Sequence, residues 1–172
     1  MIRFITDREI YDLAVAEMIP KAKEFVWIGT ADIKDMYLVK DGKSKPFLAL
    51  LADLIKKGVD VRLIHAKEPG PAFRADFDKH SVLVKSLERM LCPRVHFKII
   101  IVDGVFAYTG SANLTGAGMG AKSDNRRNFE NGFITDELEH INKIAEQFDS
   151  VWMGKFCKAC GRKDFCTDCP IK

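Results

Sequence analysis

A histidine and a lysine stand two residues apart in an otherwise apolar run, "VHFKIIIV", residues 95–102. Side chains alternate along a strand. His96, Lys98, Ile100 and Val102 therefore share one side, and Val95, Phe97, Ile99 and Ile101 the other. An imidazole can attack an electrophile or carry a proton, and an ammonium can hold negative oxygens. Buried without partners, both are costly. They either line a cleft or are paired off as structural polar groups. Asp103-Gly104 reads as a two-residue hairpin turn and "VFAYTG" as the returning strand. That hairpin returns Gly110, Ser111 and Asn113 to the neighbourhood of His96, so four side chains fit for group-transfer chemistry gather at one place.

The spacing His96-x-Lys98-x4-Asp103-x6-Gly110-Ser111-x-Asn113 resembles the H-x-K-x4-D-x6-G-S-x-N signature of the phospholipase D superfamily, with every interval intact. The similarity continues upstream in "ALLADLIKKGVDVRLI" and downstream in "NRRNFENGFI", where Asn128 and Glu130 match the family's Asn-x-Glu. It ends in "EQFDSVW", which is similar to the family's closing helix. It covers residues 1 to about 153.

That resemblance implies a phosphodiesterase. The family builds its site from two motifs, in one long chain or across a homodimer. This chain is short and carries one copy, so a two-fold homodimer with both motifs at the interface is implied. His96 would be nucleophile in one subunit and acid in the other, through a phosphohistidine intermediate. Lys98 and Asn113 would bind the non-bridging oxygens with Ser111 nearby, and Glu130 would orient the histidine. Asp103, at the hairpin turn, reads as supporting structure more than chemistry. No catalytic metal is needed. Lys122, Arg126 and Arg127 lie in a loop longer than that of compact family members. They are either solvated or a phosphate-binding rim.

Around the motif, strands alternate with helices. The pattern predicts a helix capped by Asp7 and broken at Pro20, and a strand at "EFVWIGTA". A helix over "FLALLADLIKKG" leads to the strand "VDVRLIHA". "KEPGPAFRADFD" reads as a mobile loop and "SVLVKSLERML" as a helix. After the hairpin come a polar loop, the strand "FENGFIT", and a helix from about Asp136 to Trp152. The fold class is α/β, a mixed β-sheet flanked by helices, with a small C-terminal four-cysteine metal knuckle. The domains are 1–153, catalytic, and 154–172, metal-binding.

With 172 residues, 47% of them hydrophobic, the chain can bury a core. No apolar run approaches the roughly 20 residues of a membrane helix. The first residues lack the pattern of a secretion signal, which points to the cytoplasm. The net charge of +3 is matched by the last 22 residues. There Lys155, Lys158, Arg162, Lys163 and Lys172 face only Asp164 and Asp168, a polyanion contact or a solvated face. Cys157-x2-Cys160-x5-Cys166-x2-Cys169 reads as a four-thiolate site, with structural zinc preferred over an iron–sulfur cluster or paired disulfides. Cys92 reads as a buried apolar thiol. His65, His80 and His140 have no partner pattern.

The function expected is a metal-independent nuclease on DNA or RNA. The alternatives are a phospholipase or phosphatidyltransferase, and a non-catalytic nucleic-acid-binding module.

Overall fold

The most apolar strands lie at the centre of the sheet, as burial on both faces demands. The computed structural model describes residues 1–34, 36–40 and 43–171. Its main sheet has seven strands in the order β1-β9-β8-β7-β2-β5-β6. They are β1 (Ile2–Thr6), β2 (Phe25–Thr30), β5 (Asp60–His65), β6 (Glu88–Leu91), β7 (Ile99–Val102), β8 (Phe106–Gly110) and β9 (Asn131–Thr135). β2, β5 and β6 run parallel. β7 lies antiparallel to β2, and the remaining pairs are antiparallel. β3 (Tyr37–Lys40) and β4 (Lys43–Pro46) form a separate hairpin.

Helices cover both faces. On one lie a π-wound helix (Ile10–Met18) and α1 (Phe47–Lys56). Ile10, Leu48 and Leu51 there share a core with Ile28, Leu63, Ile100 and Tyr108. On the other lies α4 (Leu138–Trp152), with Ile141 and Phe148 packed over Ile99, Ile101 and Trp27. The α/β architecture with a mixed sheet between helices is the one expected.

Four local expectations are corrected. "KEPGPAFRADFD" contains α2 (Pro71–Asp78), with Pro71 in the first turn, where its missing N–H costs nothing. The helix expected to Leu91 stops with α3 (Ser81–Ser86), and Glu88–Leu91 becomes the edge strand. Pairing with β5 there buries Met90 and Leu91. The β7–β8 turn holds three residues, not two. Val102 pairs with Phe106, and Asp103 and Gly104 both have positive φ. Asp7 does not cap the first helix; its carboxylate accepts the Glu130 N–H at 2.9 Å. Strand β1 and the β3–β4 hairpin were not expected.

Gly29 of β2 faces α4. A Cβ there would lie 2.2 Å from the Phe97 ring, so the ring between His96 and Lys98 rests on bare backbone.

Candidate active site

His96 and Lys98 lie in the extended lead-in to β7. The expected alternation holds. Ile100 and Val102 join one core and Ile99 and Ile101 the other. His96 is exposed, while Lys98 is only 6% exposed. The two meet as their shared side requires: Lys98 Nζ lies 3.3 Å from His96 Nδ1 and donates to the His96 carbonyl at 2.7 Å. Burial pushes the Lys98 ammonium below its ordinary pKa, against the opposing field of Glu130. An ammonium beside Nδ1 makes that nitrogen the acceptor and leaves Nε2 as the free edge of the ring.

The hairpin supplies the rest. Gly110 N–H donates to the Lys98 carbonyl at 3.2 Å. The Ser111 hydroxyl donates to Glu130 and accepts the Asn131 N–H at 3.1 Å. Asn128 Nδ2 donates to the other Glu130 oxygen at 3.0 Å. Glu130 is therefore bonded to Ser111 and Asn128 and acts on Lys98 through its charge. Gly110 and Gly132 make this junction possible, since a Cβ at either would strike Tyr108 within 2.6 Å. Tyr108 is fully buried, and burial raises its phenol pKa.

Asn113 is oriented by its carbonyl. Oδ1 accepts the Ala31 and Asp32 N–H groups at 3.2 and 3.1 Å, which leaves Nδ2 as a donor for a substrate oxygen. Asp103 stands at the other end of the hairpin. Its carboxylate accepts the N–H groups of Lys23, Glu24 and Phe25 at 2.8, 2.9 and 2.8 Å and pins the start of β2 to the turn.

Beside Asn113 opens a cleft of about 520 Å³, lined by Asp32, Lys34, Met36, Tyr37, Lys122 and Asn128 among others. Of the three basic loop residues, Lys122 reaches it. Arg127 pairs with Asp124 at 3.1 Å, and Arg126 is exposed without lining the cleft. Asp32 and Lys34 were not anticipated. The available signal was their place just after β2, since ligands of α/β sheets gather at the carboxyl ends of parallel strands.

The tail packs against the body. Asp168 accepts the Leu91 N–H at 2.8 Å, and the Cys166 thiol donates to the Leu91 carbonyl at 3.7 Å, so the edge of β6 is covered. Burial, then a hydrogen bond with Cys169 and the nearby Cys166 and Cys92, raises the Cys157 thiol to about 11. Cys160 faces Arg94 at 3.8 Å; the Arg162 backbone first, then Arg94, lowers its pKa. Cys92 thus lies near the tail cysteines. Among the described residues no three His, Cys, Asp or Glu side chains converge closely enough to hold a metal ion, and no cysteine is in a disulfide. Lys172 lies outside the described residues. Among the described residues no helix is long and apolar enough to cross a membrane.

A family model described as "Cardiolipin synthase, PLD-like domain" matches residues 15–152, most of the chain, with His96, Lys98, Asn113, Glu130 and the cleft inside the match and the tail cysteines outside it. The chain belongs to the phospholipase D superfamily. Solved structures share its fold. Nuc from Salmonella typhimurium, a phospholipase D family member, is 20% identical over 88% of this chain and 93% of its own, with a TM-score of 0.63. NucT from Helicobacter pylori is 16% identical over 88% and 96%, with a TM-score of 0.64. The archaeal chromatin protein TrmBL2, whose structure shows a mode of DNA binding, is 13% identical over 88% of this chain and 51% of its own, with a TM-score of 0.59. No curated protein sequence matches. In this phospholipase D superfamily chain the H-x-K signature leads into β7 and its Gly-Ser-x-Asn return leaves β8, so the two meet at one end of adjacent strands.

Proposed function

We propose that this chain is a metal-independent phosphodiesterase acting on DNA or RNA, with its site completed across a homodimer. The observation that carries the reading is the buried Lys98 ammonium held at His96 Nδ1, with the oriented Asn113 amide just past the end of β8 and the Glu130 carboxylate just before β9.

In the first step His96 Nε2 attacks phosphorus. The P–N bond forms as the P–O bond to the leaving group breaks. Lys98 and Asn113 Nδ2 neutralise the non-bridging oxygens. The leaving oxygen takes its proton from the His96 of a second copy, because one chain supplies a single such imidazole. That histidine then removes a proton from water, and the resulting hydroxide displaces His96 from phosphorus. A nucleophilic Nε2 needs its proton on Nδ1. A bound phosphate draws the Lys98 ammonium off Nδ1, and the exposed ring then exchanges tautomer through solvent, Nε2 giving a proton to water as Nδ1 takes one from it.

Exposed aromatic side chains support a second copy beside the site. Phe129 is 95% exposed between Asn128 and Glu130, and Phe4 and Phe133 pack edge-to-face on the uncovered end of the sheet. The same surface would suit a lipid aggregate. With the cardiolipin-synthase description of the family model, it keeps phosphatidyl transfer as a second reading. A cleavage screen in EDTA separates them, using single- and double-stranded DNA, RNA, an aryl phosphodiester and phospholipid vesicles. Cleavage of nucleic acid but not vesicles supports the nuclease. Vesicle turnover alone replaces it with the lipid enzyme, and no turnover of any diester overturns both.

The tail we read as a structural zinc site of Cys157, Cys160, Cys166 and Cys169. The soft donors and the contact of Cys157 with Cys169 support this, and Cys160, which faces Arg94, must turn inward to complete the set; four metal-bound thiolates would suit a cytoplasmic location. Elemental analysis tests it. About one zinc per chain is expected; iron with sulfide would replace zinc by a cluster.

A further inference from the structure

The cleft beside Asn113 is larger than a phosphodiester requires, and its walls are not those of a simple anion trap. Lys34 and Lys122 line it, and neither is in an ion pair among the described residues. Two lysines alone would suit any phosphate. Met36, Tyr37, Val39 and Ala121 line it too, however, and Asp32 adds a carboxylate. An apolar wall does nothing for a phosphate, and a carboxylate repels one. Both suit a nucleobase, which has a face that stacks and amino groups that donate.

Tyr37 is the natural platform. Its side chain is 57% exposed at the cleft. The strand that carries it is fixed by the buried Tyr11 hydroxyl, which donates to the Tyr37 carbonyl at 3.2 Å and accepts the Val39 N–H at 2.8 Å. The cleft holds about 520 Å³ and is continuous with Asn113 and Asn128 of the reacting centre. A base of a duplex is stacked and paired, and cannot enter a concave site without being extruded. A single strand can present one.

We propose that this cleft is a nucleobase subsite, and that the substrate is single-stranded nucleic acid with one unstacked base on Tyr37 and adjoining phosphates on Lys34 and Lys122. The proposal rests on the phosphodiesterase reading for the phosphate at His96, but base binding can be measured without turnover.

The test is fluorescence anisotropy of the non-cleaving His96→Ala protein with labelled DNA 12-mers: single-stranded, fully abasic, and duplex. The expected order is single strand tightest, with a loss of about tenfold on removing the bases, the effect of one stacked base. Tyr37→Ala should lower affinity for the base-bearing strand to that of the abasic strand. Lys34→Ala with Lys122→Ala should weaken both and flatten the salt dependence by roughly 0.7 per lysine. Equal affinity for abasic and normal strands overturns the proposal. So does a base preference that survives Tyr37→Ala, a duplex bound more tightly than the single strand, or binding to anionic vesicles in place of DNA. Hydrolysis of an aryl diester by the unmodified protein is scored separately. Its absence removes the phosphodiesterase and leaves the base site standing, whereas its presence with no base effect does the reverse.

Discussion

Lys98 Nζ sits 3.3 Å from His96 Nδ1 and 2.7 Å from the same residue's carbonyl oxygen. A buried cation and the His96 imidazole thus share one side of the chain, within reach of the same bound anion.

The alkaline limit of activity should therefore report Lys98. Its folded pKa lies below the ordinary 10.5 because burial disfavours the charge. As pH rises the ammonium is lost early, so kcat/KM should fall at a pH below 10.5. Lys98→Arg should move that limb upward even if it lowers the plateau, because a guanidinium does not titrate there. The sign for stability is opposite. The unfolded chain holds the proton more tightly, so this group's contribution to stability rises with pH between the folded and unfolded pKa values. A pH–rate profile of both proteins decides the matter; coincident alkaline limbs would dismiss Lys98.

Asp103 should behave as a structural residue. Its carboxylate satisfies three backbone N–H groups, and Asp103→Ala leaves them to water or to nothing. A loss of about 2–3 kcal/mol is expected in urea denaturation. The folded variant should keep kcat within a few-fold. A drop in kcat of a hundredfold or more at full stability would place Asp103 in the chemistry.

Gly29→Val should damage fold and activity together. The new side chain must displace Phe97, whose ring would lie 2.2 Å from a Cβ. Overpacking of this kind costs about 1–3 kcal/mol. Because Phe97 lies between His96 and Lys98, kcat should fall more than the folded fraction does. Circular dichroism melts beside single-turnover rates on the aryl diester test this.

Asp168→Ala should loosen the tail from β6. The carboxylate caps the Leu91 N–H on an otherwise open sheet edge. Hydrogen exchange should speed up at Leu91 and its neighbours, with Ile100 at the centre of the sheet unaffected as the control. Unchanged exchange at Leu91 would mean the tail does not protect that edge.

The site was more legible than its surroundings. His96, Lys98, Gly110 and Ser111 could be placed because a strand's two-residue period and a tight turn leave little freedom. The turn's length was missed by one, which Asp103 and Gly104 absorb with positive φ. "SVLVKSLERML" reads as a helix, with Leu83, Leu87 and Leu91 at helical spacing. Only the parallel partner β5 makes its second half a strand, and that contact is non-local. β1 exposes Ile2, Arg3 and Phe4 in a row, and β3 alternates buried Leu38 with exposed Tyr37 and Val39 but carries apolar residues on both faces, so neither strand shows a polar–apolar alternation in the sequence. The cleft lysine Lys34 and the partners of Asn113 come from residues some eighty positions away. No local pattern in the sequence joins them.

The central claim is a phosphodiesterase whose single His96 per chain must act in pairs. The direct measurement is hydrolysis of an aryl phosphodiester in EDTA by mixtures of unmodified and His96→Ala chains, refolded together at constant total concentration. The account predicts activity that falls as the square of the unmodified fraction, because a mixed dimer lacks one of its two imidazoles. Activity linear in that fraction, or none in the unmodified protein, would contradict it.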